Sequence, residues 1–141
     1  LFLSKVSFVR GREVWRLVNA ERMPISIQSL KDNKKALAIS KIAFLLKRLI
    51  HGETRDEDLF EEIKRGLIFL ESEELNENEA EIFSLIIASR ILERLGYWPE
   101  KNKWQELFNF SEWNKDVLAG IKGREGEVST IINKSILESH L

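Results

Sequence analysis

From about Glu79 to Leu95 the chain places Ile82, Phe83, Leu85, Ile86, Ile87, Ala88, Ile91 and Leu92 on several sides of one helical repeat. A helix that is apolar on several sides must be surrounded by other elements. The chain therefore has to supply packing partners for a central helix, and amphipathic segments on both sides are expected to do so. Upstream, Leu37, Ile42, Leu45, Leu46, Leu49 and Ile50 follow the i, i+3, i+4 spacing of one helix face, starting at Lys34 or Lys35 and stopping at His51 and Gly52. A second helix, capped by Thr54 or Asp56, carries Leu59, Phe60, Ile63, Leu67 and Leu70 on its inward stripe. Its first turn holds Glu57, Asp58, Glu61 and Glu62, where the helix dipole favours carboxylates. Downstream, Gly96 and the Tyr97-Trp98-Pro99 exit end the central helix. A short helical piece near Trp104 to Leu107 follows, then segments from Trp113 to Ile121 and from Glu125 or Glu127 to Ser139, divided by Gly123 and Gly126.

The first twenty residues have a different period. Phe2, Val6 and Phe8 recur on one face, Val14 to Val18 is rich in β-branched and aromatic residues, and Arg10-Gly11-Arg12-Glu13 supplies a turn. A β-hairpin is predicted, ending near Pro24. The expected organisation is a hairpin over 1–24 and a helical bundle over 25–141, making the fold mainly α. An isolated hairpin is marginal in water, so these strands are expected either to pack on the helices or to belong to a larger sheet.

The formal net charge of −1 conceals a segregation along the chain. Residues 1–50 carry 11 bases and 3 acids, whereas residues 51–141 carry 11 bases and 20 acids. One reading is a basic surface for a polyanion; the other is internal neutralisation between the two halves. Trp15, set among Lys5, Arg12 and Arg16, is likewise open to two readings: it packs the hairpin onto the bundle, or it stacks on nucleic-acid bases. Trp98, Trp104 and Trp113 lie near interhelix turns and are expected in the core.

With no cysteine, disulfides, a thiol nucleophile and thiolate metal sites are excluded. The seven glycines never form a phosphate loop, and His51 and His140 neither pair for a metal nor sit beside a nucleophile. A binding protein without cofactor, metal or catalytic residues is expected. The longest apolar run, Ile82 to Ala88, is too short to span a bilayer, and the N-terminus does not read as a signal peptide. The chain is expected to be a fragment or trimmed chain in a cytoplasmic context.

Several stretches, in order, resemble the RecO family of DNA repair proteins. Val9-Arg10-Gly11-Arg12 and Val18-Asn19-Ala20-Glu21 resemble the end of that family's N-terminal oligonucleotide-binding (OB) barrel, which would make the hairpin a remnant of such a barrel. Ala36 to Leu49 resembles the first helix of its helical domain, and Asp56-Glu57-Asp58-Leu59-Phe60 the next helix start. Ser89 to Pro99, ending in Leu95-Gly96-Tyr97-Trp98-Pro99, resembles its most recognisable stretch. Many members place a cysteine cluster soon afterwards, where this chain has Lys101-Asn102-Lys103-Trp104.

The resemblance implies a nucleoid-associated recombination mediator that binds single- and double-stranded DNA and anneals strands. It also implies RecA loading with RecR and contact with the acidic tail of single-stranded DNA-binding protein. Phosphate contacts are expected from Lys5, Arg10, Arg12, Arg16, Lys34, Lys35, Lys41, Lys47 and Arg48. The tail contact is expected from Arg90, Arg94 and Tyr97. The competing expectation is a helical adaptor that does not bind DNA.

Overall fold

The computed structural model describes residues 2–26, 31–52 and 55–139. Strands β1 (Phe2–Arg10) and β2 (Trp15–Ser26) form an antiparallel hairpin. Six α-helices follow among the described residues: α1 (Asn33–Leu49), α2 (Glu57–Ser72), α3 (Glu77–Arg94), α4 (Gln105–Phe108), α5 (Lys115–Ala119) and α6 (Glu125–Glu138). A 3₁₀ turn, Lys101–Trp104, leads into α4. The fold is mainly α with an N-terminal hairpin, as the periodicity indicates.

Side-chain caps set the helix starts. Asp32 accepts from the Lys34 N–H and Asp56 from the Leu59 N–H, each at 2.9 Å. Asp56 is thus the cap of α2, and Thr54 lies outside the described residues. Asn76 and Glu79 form a reciprocal capping box at the start of α3, with bonds of 2.8 and 2.9 Å. This starts α3 earlier than its apolar pattern suggests. At the other end Gly96 adopts φ +83°, and the Tyr97 N–H reaches back to the Leu92 carbonyl at 2.8 Å, closing the helix in a left-handed cap.

The central helix is α3, with Phe83, Ile86, Ile87, Ile91 and Leu92 fully buried. Helices α1 and α6 pack along it, and α2, α4 and α5 complete its surroundings. Phe69, Phe83 and Trp113 form an aromatic cluster with centroids 5.0–6.0 Å apart. Trp98 meets Trp104 edge-on at 6.0 Å, sealing the exit of α3. Trp98 and Trp104 are buried and Trp113 packs on the core, as their positions near the turns suggest.

Several sequence expectations need correction. Strand β2 passes Pro24 and continues to Ser26, so the hairpin outlasts the proposed boundary at residue 24. In α2 the buried residues are Leu59, Glu62, Gly66, Phe69 and Leu70, and Phe60 is exposed. The helix is turned toward α3 because Glu62 is held there by Arg90 and because Gly66 leaves room for Ile87. A Cβ on Gly66 would stand 3.0 Å from Ile87 Cδ1 and 3.6 Å from the Trp113 ring. Leu37 of α1 and Ile50, which caps its C-terminal end, are also exposed. Gly126 lies inside α6, and Gly123, at φ +86°, makes the break before it.

Candidate nucleic-acid interface

The hairpin turns at Gly11, whose N–H donates to the Val14 carbonyl at 2.8 Å. Its register pairs Arg10 with Trp15, Phe8 with Leu17, Val6 with Ala20 and Ser4 with Arg22. Directly paired residues share a face, and faces alternate along each strand. One face therefore carries Val6, Phe8, Trp15, Leu17 and Ala20 with Arg10 and Arg22. The other carries Lys5, Ser7, Val9, Arg16, Asn19 and Glu21. The register slips between Ser7 and Phe8, leaving Val18 as the extra residue of a bulge.

Both faces carry exposed apolar side chains among the described residues. Val6, Phe8, Val9, Val14, Trp15, Leu17 and Val18 are each 47–60% exposed. Trp15 is half-exposed, and among the described residues the buried hydrophobic core consists of residues from Ala38 onward. Lys5, Arg10, Arg12 and Arg16 are all exposed, and the Arg10 guanidinium lies 5.7 Å from the centre of the Trp15 ring. The hairpin thus combines exposed aromatic rings with five bases, Lys5, Arg10, Arg12, Arg16 and Arg22, against two acids, Glu13 and Glu21.

The basic residues of α1 are placed differently. Lys35 is buried, and its ammonium donates to the Glu71 carbonyl at 3.3 Å, tying the start of α1 to the end of α2. That position corrects the expectation that Lys35 meets phosphate. Lys34, Lys41 and Arg48 recur every seven residues on one side of α1. Lys34 lies 3.8 Å from Asp32, and Lys41 pairs with Glu81 of α3 at 2.6 Å. Arg48 sits over Phe44 at 5.8 Å, and Lys47 is exposed. Only part of this helix offers cations to solvent.

The residues expected to hold a partner tail are divided by burial. Arg90 donates to Glu62 Oε2 at 2.8 Å, and its Nε stands 2.6 Å from Oε1, a close ionic contact without hydrogen-bond alignment. Its remaining nitrogen reaches the Leu107 and Phe110 carbonyls at 3.4 Å, and its plane stacks 4.0 Å from the Phe110 ring centre. With 14% of its side chain exposed, Arg90 is a structural residue joining α2, α3 and the segment after α4, which corrects its proposed role. Arg94, 3.5 Å from Asp58, is half-exposed, and Tyr97 is at the surface. Arg94 lines a cavity of about 240 Å³ with Arg90, Lys101, Glu62, Glu93 and Phe108. Beside the end of α3, Leu46, Leu49, Ile50, Leu59, Phe60 and Leu95 line an apolar pocket of about 320 Å³. From sequence each of these lining residues reads as ordinary helix core.

Among the described residues no cluster of His, Asp or Glu is arranged to hold a metal, and no helix is long and apolar enough to cross a membrane. Glu79 is held below its ordinary value chiefly by the Asn76 backbone N–H it accepts from, partly offset by burial, with the nearby Lys115 adding to the lowering. Comparison with family models, curated proteins and solved structures finds no significant match.

Proposed function

We propose that the chain is a DNA-binding recombination mediator of the RecO type, acting by binding rather than by turnover. The observation that supports DNA contact is the hairpin, where exposed cations surround exposed aromatic rings. Phosphates of either single or double strands would meet Lys5, Arg10, Arg12 and Arg16, with Lys34, Lys47 and Arg48 as outlying contacts. The recombination role, with strand annealing and RecA loading beside RecR, is supported by the ordered resemblance ending in Leu95-Gly96-Tyr97-Trp98-Pro99. Annealing calls for a charged surface that releases its strand, and the hairpin has that character.

For the acidic tail of single-stranded DNA-binding protein, Arg94 and Tyr97 are the residues left at the surface, with the apolar pocket at Leu95 suited to an aromatic side chain. Arg90 would support them from beneath. The adaptor reading draws support from internal neutralisation in the bundle, where Lys41, Arg90 and Arg94 pair with Glu81, Glu62 and Asp58.

Fluorescence anisotropy of a labelled oligonucleotide, titrated with the chain at low and moderate salt, separates the two readings. A mediator of this kind loses affinity steeply as salt rises, because displaced counterions set the slope. Absence of binding at low salt would leave the adaptor reading in place.

A further inference from the structure

We propose that the channel between α1 and α6 is a docking groove for an amphipathic α-helix of a partner protein, with carboxylates beside its apolar stripe. The proposal is independent of the DNA-binding reading, which places nucleic acid on the hairpin. Helices α1 and α6 both pack on α3. Between them Phe44 and Leu45 of α1, Leu85 and Ala88 of α3, and Ile132 and Ile136 of α6 line a cavity of about 400 Å³. A second cavity of about 420 Å³ reaches back to Asn33 and Leu37 and shares Lys41, Glu81 and Ser84 with the first. Together they follow α1 from Asn33 to Leu45, which at 1.5 Å per residue is about 18 Å, the length of roughly three helical turns.

Leu37 and Phe44, two turns apart on one side of α1, are 56% and 54% exposed. The only charges lining the deeper cavity, Lys41 and Glu81, pair with each other at 2.6 Å. An apolar lining without unpaired charge is the character of an interface centre. Walls and floor are all helices, whose backbone groups are bonded internally, so the groove offers no strand edge. Its occupant must satisfy its own backbone, and a helix does so. Charge selects the kind of helix. Helix α1 has five bases and no acid. Lys35 and Lys41 are engaged by the Glu71 carbonyl and by Glu81. Lys47 and Arg48 lie one turn beyond Phe44 and have no carboxylate partner among the described residues, and Arg48 Nε is buried without a hydrogen bond. At the Asn33 end Lys34 and Glu77 both line the groove, and charge favours neither sign there. The carboxylates of the partner helix therefore belong beside Lys47 and Arg48. A nucleic-acid strand shares the attraction to these cations but brings no apolar stripe to Leu37 and Phe44.

The test is anisotropy with the full chain and two labelled, stapled helical peptides that share one stripe of Leu and Phe, flanked by Glu in the first and by Lys in the second. The acidic peptide should bind, and the basic one should bind at least about tenfold more weakly. Phe44→Ser should weaken the acidic peptide about tenfold, as loss of a central aromatic contact does. Lys47→Glu, at an exposed position, should weaken it several-fold at low salt and less at high salt. If Phe44→Ser also lowers the melting temperature, Lys47→Glu decides. Failure of the acidic peptide to bind, equal binding of the two peptides, or indifference to Lys47→Glu would overturn the proposal. Competitive displacement of the acidic peptide by an oligothymidine would assign this face of α1 to nucleic acid and overturn it as well.

Discussion

The hairpin and the bundle are both rich in apolar residues but treat them in opposite ways. In the bundle, α3 finds neighbours on every side and its Phe83, Ile87 and Leu92 are fully buried. In the hairpin, Phe8, Leu17 and Val18 stay more than half exposed. The periods explain the contrast. A 3.6-residue repeat supplies stripes that α1, α2 and α6 direct onto one central helix, whereas a two-stranded sheet has only one pair of strands and two faces. The bundle has a core of its own, whereas the described apolar residues of the hairpin stay exposed.

The largest effect that sharpens this contrast lies at the buried ion pair. Arg90→Ala should destabilise the fold by about 3–5 kcal/mol in urea unfolding, because Glu62 is left as a buried charge without its main partner. Replacing both, Glu62→Leu with Arg90→Leu, should recover much of that loss; no recovery would mean that Arg90 acts through the Leu107 and Phe110 carbonyls instead. In the hairpin, Leu17→Ser should change the unfolding free energy of the bundle by less than about 0.5 kcal/mol, since an exposed side chain surrenders little burial. A cost comparable to that of a core residue would show that the two regions share a core.

The smallest effect is electrostatic. Glu79 has its pKa lowered in the fold, mainly by its hydrogen bond to the Asn76 N–H. Its contribution is therefore present above the ordinary carboxylate pKa and lost as pH falls through the lowered folded value. Melting temperatures of the natural chain and Glu79→Gln should converge on acidification; a gap that persists would assign the difference to shape rather than charge.

The sequence made the helical class, the central role of α3 and the hairpin legible, because each has a period or a glycine stop that physics ties to one conformation. The orientation of α2 was not legible. Phe60 reads as core and Glu62 as surface, but their places are exchanged by a contact with Arg90, 28 residues away in sequence. From sequence Lys35 reads as a phosphate contact for the same reason: its partner, the Glu71 carbonyl, is set by tertiary packing. At the hairpin the basic residues and Trp15 were legible as candidates, since strand alternation fixes their faces. Whether the bundle covered Trp15 was a tertiary matter that alternation could not decide.

In the proposed reading DNA contact belongs to the hairpin and stability to the bundle. Its most direct test measures melting temperature and single-strand affinity together on two variants: Arg10, Arg12 and Arg16 changed to Glu, and Lys34, Lys47 and Arg48 changed to Gln. The hairpin variant should lose binding while melting like the natural chain, and the α1 variant should keep most of its affinity. Retained binding in the hairpin variant, with loss in the α1 variant, would contradict the account and move the nucleic-acid surface to the bundle.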